Sequence, residues 1–156
     1  MAEIIWHEEP LDEAPVDTEL THKIAVGAYI ISDGKVLLLL RKNPPQVWAP
    51  PGGHLHKDEN AILGLYREIK EECGFEVESL GPVAIGQGLH NGVTILAIFF
   101  LCTLKGGKFT LSDEHSGAKW YSRQEIFDNL ANKDSILGEA ATYRRIFLLF
   151  DLMLRQ

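Results

Sequence analysis

Two hydrophobic rhythms share this chain. Between Lys23 and Arg41 the apolar runs IAVGAYII and KVLLLLR are separated only by Ser32-Asp33-Gly34. Short unbroken apolar runs bounded by a turn signal read as buried strands, and Asp-Gly suits a tight hairpin, so two paired strands are expected here. From Ala61 the rhythm changes. Ile62, Leu65, Tyr66, Ile69 and Cys73 recur at helical spacing and form one stripe, which sets that side of a helix against a core. Asp58 or Asn60 can cap its first turn, and Gly74 supplies the left-handed residue that closes many helices.

Strand patterning returns after the helix. Glu76 to Leu80 reads as a short strand, Gly81-Pro82 as a turn, and Val83 to His90 with Val93 to Leu104 as a second hairpin around Asn91-Gly92. Val93 to Leu104 is the most apolar segment and belongs in the middle of a sheet covered on both faces. After a turn at Gly106-Gly107, a last strand is expected around Ala118 to Tyr121. Ser122-Arg123-Gln124-Glu125 is a capping-box sequence opening a helix through Leu130, and Glu139 to Arg155 forms another with Tyr143, Ile146, Phe147, Phe150 and Leu154 on one side. Helices on both faces of these strands predict an α/β chain folded as an α/β/α sandwich with a central mixed sheet. No internal repeat or low-complexity run interrupts it, so residues 23–156 are expected to form a single domain. Residues 1–22 differ. They are acidic, broken by Pro10 and Pro15, and offer only Ile4, Ile5, Trp6 and Leu11 for burial, which reads as an N-terminal acidic arm.

Composition narrows the classes. With 156 residues and 46% hydrophobic content, the chain suits one compact domain with a real core. A net charge of −7 argues against nucleic-acid polymers and anionic membranes, which recruit clustered Lys and Arg. Cys73 lies on the helix stripe and Cys102 in an apolar run, with no metal or redox spacing between them, so both read as reduced core residues. The N-terminus lacks the order of a signal peptide, and the longest apolar run, Ile95 to Cys102, is too short to span a bilayer. A cytoplasmic location is expected.

The chemistry concentrates in Gly53 to Phe75, GHLHKDENAILGLYREIKEECGF. Glu68, Glu71 and Glu72 lie off the apolar stripe as helix-surface neighbours, where each like-charge pair costs roughly 0.2–0.5 kcal/mol. A solvated acidic face is one reading. Arg67 and Lys70 can offset the charge, but three clustered carboxylates also suit a hard divalent ion such as Mg²⁺, which binds through carboxylates, waters and phosphates. The approach, WAPPGGHL, is a proline-stiffened loop around Trp48 that delivers a glycine pair.

At its defined positions this stretch resembles the Nudix box: Gly53, Glu59, Arg67-Glu68, Ile69, Glu71-Glu72, Gly74 and Phe75. The resemblance extends over about Lys23 to Glu125. It implies a Nudix-type sandwich in which Glu68, Glu71 and Glu72, with the Gly53 carbonyl, hold Mg²⁺ or Mn²⁺. It further implies that Glu59 pairs with Arg67, and that water attacks a phosphorus of a nucleoside diphosphate linked to another group. The family does not use one general base throughout, so Glu71, Glu68 and Glu114, which precedes Trp120, are all candidates. Near Arg41 family members commonly carry an arginine that can reach a substrate phosphate, a strand-end arginine laid along the surface being the alternative. WAPPGGHL resembles the family's lead-in to the box and makes Trp48 a candidate substrate contact, while His54 and His56 flank the site. A nucleoside triphosphate, oxidised bases included, cleaved to monophosphate and pyrophosphate is the expected small-molecule substrate. No proline stands near Asn91, where ADP-ribose hydrolases of the family often carry one. ADP-ribose, nucleotide sugars and dinucleotide polyphosphates are the alternatives, as is a nucleotide sensor on the same fold. An isomerase on this fold would need a pocket cysteine, which neither Cys73 nor Cys102 offers. Many members pair, and the arm with Trp6 offers an exchange element for a homodimer.

Overall fold

A computed structural model describes residues 21–44, 46–131 and 149–150. Strands β1 (Lys23–Ser32) and β2 (Lys35–Arg41) form from the two apolar runs. Asp33 and Gly34 turn between them with φ of 48° and 69°, both left-handed, as a two-residue hairpin of matching twist requires. The pairing is brief. Only Ile31↔Val36 and Ser32↔Lys35 face each other, after which the strands take different partners.

β1 continues in parallel with β6 (Val93–Gly107), from Lys23↔Ile95 to Ile31↔Thr103. Its first half also pairs with β4 (Gly52–His54), Gly27 opposite Gly52 and Val26 opposite Gly53. β2 pairs with β7 (His115–Ser122) on one side and with β3 (Trp48–Ala49) on the other. The sheet, which is seven-stranded among the described residues, is therefore mixed and parts along the β1–β2 seam. Into that parting the chain carries Trp48 and the Gly52-Gly53 pair.

β5 (Phe75–His90) lies at the edge beside β6 and corrects the expected turn at Gly81-Pro82. The strand runs straight through, and its register shifts at Glu76/Val77, Ser79/Gly81 and Pro82/Ala84 absorb the glycine and proline. Bulges at an edge tolerate a residue without an N–H donor. At the far end Asn91 and Gly92, with φ of 49° and 77°, make the expected tight turn. β6 is covered less completely than its sequence suggests: Phe100 and Cys102 are buried, while most of the strand is half-buried.

Helix α1 (Ala61–Cys73) is capped by Asn60, whose Oδ1 accepts from Ile62 N and Leu63 N, and it ends on Gly74 at φ 72°. Its stripe behaves as periodicity dictates. Leu65, Ile69 and Cys73 are fully buried against Ala28, Ile30 and Phe100, each large side chain worth about 1.5–3 kcal/mol of burial. The opposite face of the sheet packs Tyr29, Val36, Leu38 and Tyr121 against Ile126, Leu149 and Phe150. Ile126 belongs to α2 (Arg123–Ala131), opened by the expected capping box: Glu125 N donates to Ser122 Oγ at 3.2 Å and Ser122 N to Glu125 Oε2 at 2.9 Å. Layers on both faces make this an α/β sandwich. The helix expected from Glu139 lies largely outside the described residues, though Leu149 and Phe150 are helical and buried. The arm with Trp6 lies outside them as well.

Candidate active site

Gly53 is the middle residue of β4, paired with Val26 of β1 and close against α1. A Cβ added there would stand 2.5 Å from Glu68 Oε2, so only glycine lets the backbone and this carboxylate meet. Gly52 is constrained too. Its φ is 151°, and a side chain would run into Val26 O and lie 2.6 Å from Gly27 Cα. The first glycine of the pair thus lets β4 lie on β1, and the second lets Glu68 approach.

Behind these carboxylates stands a buttress. Arg67 donates from Nε to Glu59 Oε1 and from Nη2 to Glu59 Oε2, both at 2.8 Å, the two-pronged geometry that makes Arg–carboxylate pairs rigid. Glu59 Oε2 also accepts from His56 N at 2.8 Å, and Arg67 Nη2 donates to His54 O at 3.2 Å. These bonds lower the Glu59 carboxyl to about 2 and raise the guanidinium further above its ordinary range. Arg67 Nη1 reaches Glu68 Oε1 at 2.7 Å. The loop before the helix, the helix and the Glu68 head group are therefore locked together.

Glu72 is the buried acid, 9% exposed. Its Oε2 accepts from Gly52 N at 2.7 Å, which ties the helix to the glycine pair. Burial pushes its carboxyl up to about 7, with the negative charges of Glu68 and Glu114 adding to the effect and the Gly52 N–H and Arg41 opposing it. His115, 8% exposed, lies behind it with Nε2 3.7 Å from Glu72 Oε1 and Nδ1 3.0 Å from Ser112 Oγ. Burial moves this imidazole below its usual range, so at neutral pH the contact joins a neutral ring to the acid. The loop holding His115 is stapled in place, Ser112 N donating to Glu72 O at 2.9 Å and Lys42 N to Glu114 O at 2.9 Å.

An open cleft of about 1220 Å³ collects these groups. Gly53, Glu68, Glu72, Glu114, Arg41 and Trp48 all line it, as do His54 and His56. Glu71 does not: its side chain is 62% exposed on the outer side, with Oε2 3.5 Å from Arg67 Nη1. Arg67 and Glu59 stand behind the wall. Residue patterning missed His115, Phe99 and His90, which also border the cleft. The HS dipeptide after Glu114 was visible, but nothing local shows that its ring turns toward the helix. Beside these imidazoles, the carboxylate oxygens of Glu68, Glu72 and Glu114 face the cleft, a hard donor set that fits Mg²⁺ or Mn²⁺. Among the described residues no three His, Cys, Asp or Glu side chains already converge as a finished metal shell.

An α/β sandwich with a glycine pair, an arginine-braced acid and a buried acid at one cleft defines a class of phosphate-handling proteins. Comparison with known proteins places the chain within it. The NUDIX domain model matches residues 21–141. A MutT-like protein of Streptomyces ambofaciens is 29% identical over 70% of this chain and 70% of its own length. A putative 8-oxo-dGTP diphosphatase 2 of Mycobacterium tuberculosis is 31% identical over 70% of this chain and 79% of its own, and an ADP-ribose pyrophosphatase of Methanocaldococcus jannaschii is 32% identical over 66% and 63%. Among solved structures, the MutT protein from Methanosarcina mazei superposes with a TM-score of 0.69 at 27% identity, covering 90% of this chain and 100% of that one. The chain belongs to the Nudix family. It spans 49% and 46% of the length of two Arabidopsis thaliana members it matches. No helix among the described residues is long and apolar enough to cross a membrane.

Proposed function

We propose that the chain is a divalent-metal-dependent pyrophosphohydrolase that cleaves a nucleoside triphosphate, oxidised forms included, to a monophosphate and pyrophosphate. The observation that carries this reading is the meeting of Glu68, Glu72 and the Gly53 backbone on one side of the cleft that also holds Arg41 and Trp48. Gly53, Glu68 and Glu72, which line the cleft, would hold Mg²⁺ or Mn²⁺, and Glu71 would join them only with its exposed side chain turned in from the outer side. Bound there, the ion would neutralise phosphate charge and act as a Lewis acid. The chain's own groups do the rest. Glu59 and Arg67 hold Glu68 in one orientation, Arg41 offers a guanidinium to a phosphate, and Trp48, packed edge-on against Tyr121 at 5.6 Å, presents a ring to a base. Glu68 and Glu114 face the cleft and can take a proton from the attacking water, which their position favours over Glu71 in that role.

The likeness to an ADP-ribose pyrophosphatase supports a second reading with the same chemistry and a different leaving group. Incubation with Mg²⁺ or Mn²⁺ of a panel of dNTPs, 8-oxo-dGTP, ADP-ribose, nucleotide sugars and dinucleotide polyphosphates separates them. Pyrophosphate release from triphosphates is expected, with Glu68→Gln lowering kcat about 100-fold or more. Turnover of ADP-ribose alone would move the assignment to the second reading. A folded protein that binds nucleotides and cleaves none of them would leave a sensor instead.

A further inference from the structure

The edge of the sheet opposite the β1–β2 parting carries a feature that catalysis does not use. From Leu80 to Leu104 the chain has no Asp, Glu, Lys or Arg, although 24% of its residues are charged. The two strands in that stretch form the β5–β6 hairpin. After the bulge at Pro82/Ala84 the register is regular, with Ala84↔Phe99, Ile85↔Ile98, Gly86↔Ala97, Gln87↔Leu96, Gly88↔Ile95, Leu89↔Thr94 and His90↔Val93. Alternation then sorts the strand into two faces. His90 shares a face with Ile95, Ala97 and Phe99 and borders the cleft. Ile85, Gln87 and Leu89 point the other way, and Ile85 and Leu89 are 65% and 74% exposed. Among the described residues no strand pairs with the outer edge of β5.

A regular, uncharged edge with bare aliphatic side chains is what folded proteins usually guard against with lysine, proline or a bulge. Here the guards stop at Ala84. We infer that this edge is an interface for a second copy of the chain, the two β5 strands running antiparallel about a twofold axis at Gln87. The register is self-complementary: Ile85 of each copy then stands opposite Leu89 of the other, and Gly86 opposite Gly88. Cross-strand aliphatic pairs on one face are the unit that stabilises such a ladder. Charge selects the occupant. In a twofold interface each patch meets itself, so a protein of net charge −7 is repelled by its own copy at most of its surface and can meet it at a neutral one. Because the shared ladder presents Ile85 and Leu89 on the face away from the cleft, pairing leaves the cleft open. An interface built mainly on one strand falls below about 1,200 Å², so the dimer dissociates on dilution.

Sedimentation equilibrium over a wide concentration range tests this, with circular dichroism and thermal unfolding confirming that each variant folds. The wild-type chain is expected to pass from monomer to dimer as concentration rises. Ile85→Lys alone and Leu89→Glu alone each put a charge against an aliphatic partner and hold the protein monomeric. The double variant Ile85→Lys/Leu89→Glu brings opposite charges together twice across the axis, and it regains the dimer at low salt and loses it at high salt. The two sites lie too far apart along one strand to compensate within a single copy, so this recovery reads the register. A wild type that stays monomeric at the highest concentration, single variants that dimerise as before, or a folded double variant no better than the singles would each overturn the proposal.

Discussion

Taking the Glu72 carboxyl out of water beside Glu68 and Glu114 raises its proton affinity, and the Gly52 N–H recovers only part of that cost. Because its carboxyl, at about 7 in the fold, lies above the ordinary value of 4.5, the folded chain holds a proton between those values that the unfolded chain has released. The contribution of Glu72 to stability is therefore greatest at and below its ordinary value and falls as pH rises toward 7, with a limiting slope of about 1.4 kcal/mol per pH unit for one proton. In metal-free protein, Glu72→Gln, which resembles the protonated acid, is expected to flatten this decline. Chemical unfolding of both proteins with chelator at pH 5 and pH 7 checks it, and parallel losses in the two would show that Glu72 is not the titrating group. At this scale the sequence was most readable where the partners share one helix. Arg67, Glu68 and Glu72 are fixed by spacing alone, and Glu59 lies only eight residues before Arg67. His115 was opaque because its place depends on the backbone bond from Ser112 to the end of α1, which joins segments forty residues apart.

At the scale of elements, α1 was legible because capping, stripe and terminal glycine agree, whereas β5 was misread because Gly81-Pro82 means a turn only when no partner strand holds the chain extended. β6 holds it, through three register shifts. Gly64 shows the same lesson in a helix. Propensity says that alanine at an exposed helical site should stabilise by about 0.8–1.0 kcal/mol. Gly64 is buried, and a Cβ there would collide with Leu55 and come within 3.0 Å of Glu59 Oε2. The closeness of loop to helix is what aims Glu59 at Arg67. Gly64→Ala is thus expected to destabilise, by about 1–3 kcal/mol from overpacking, and to impair turnover as the buttress shifts. Thermal unfolding decides the sign: a higher Tm would mean that the loop yields freely and does not brace the site.

For the whole molecule, the two faces of the sheet divide the labour. One core fixes α1 with its acids, the other carries β7 and α2, and the cleft opens where β1 and β2 separate between them. The acids are gathered against the sign of the molecule, which already has a net charge of −7, so the apo fold bears a local and a global repulsion. A divalent ion that binds the folded site and not the unfolded chain must raise stability by mass action, about 2.7 kcal/mol when its concentration is a hundred times its dissociation constant. General screening would also help an acidic protein, and it sets the control. Mg²⁺ is expected to raise Tm more than NaCl of equal ionic strength, and Glu68→Gln/Glu72→Gln is expected to respond to the two salts alike. Equal shifts in the wild-type chain would mean that the acids gain only from screening, and would count against a bound ion independently of any measured turnover.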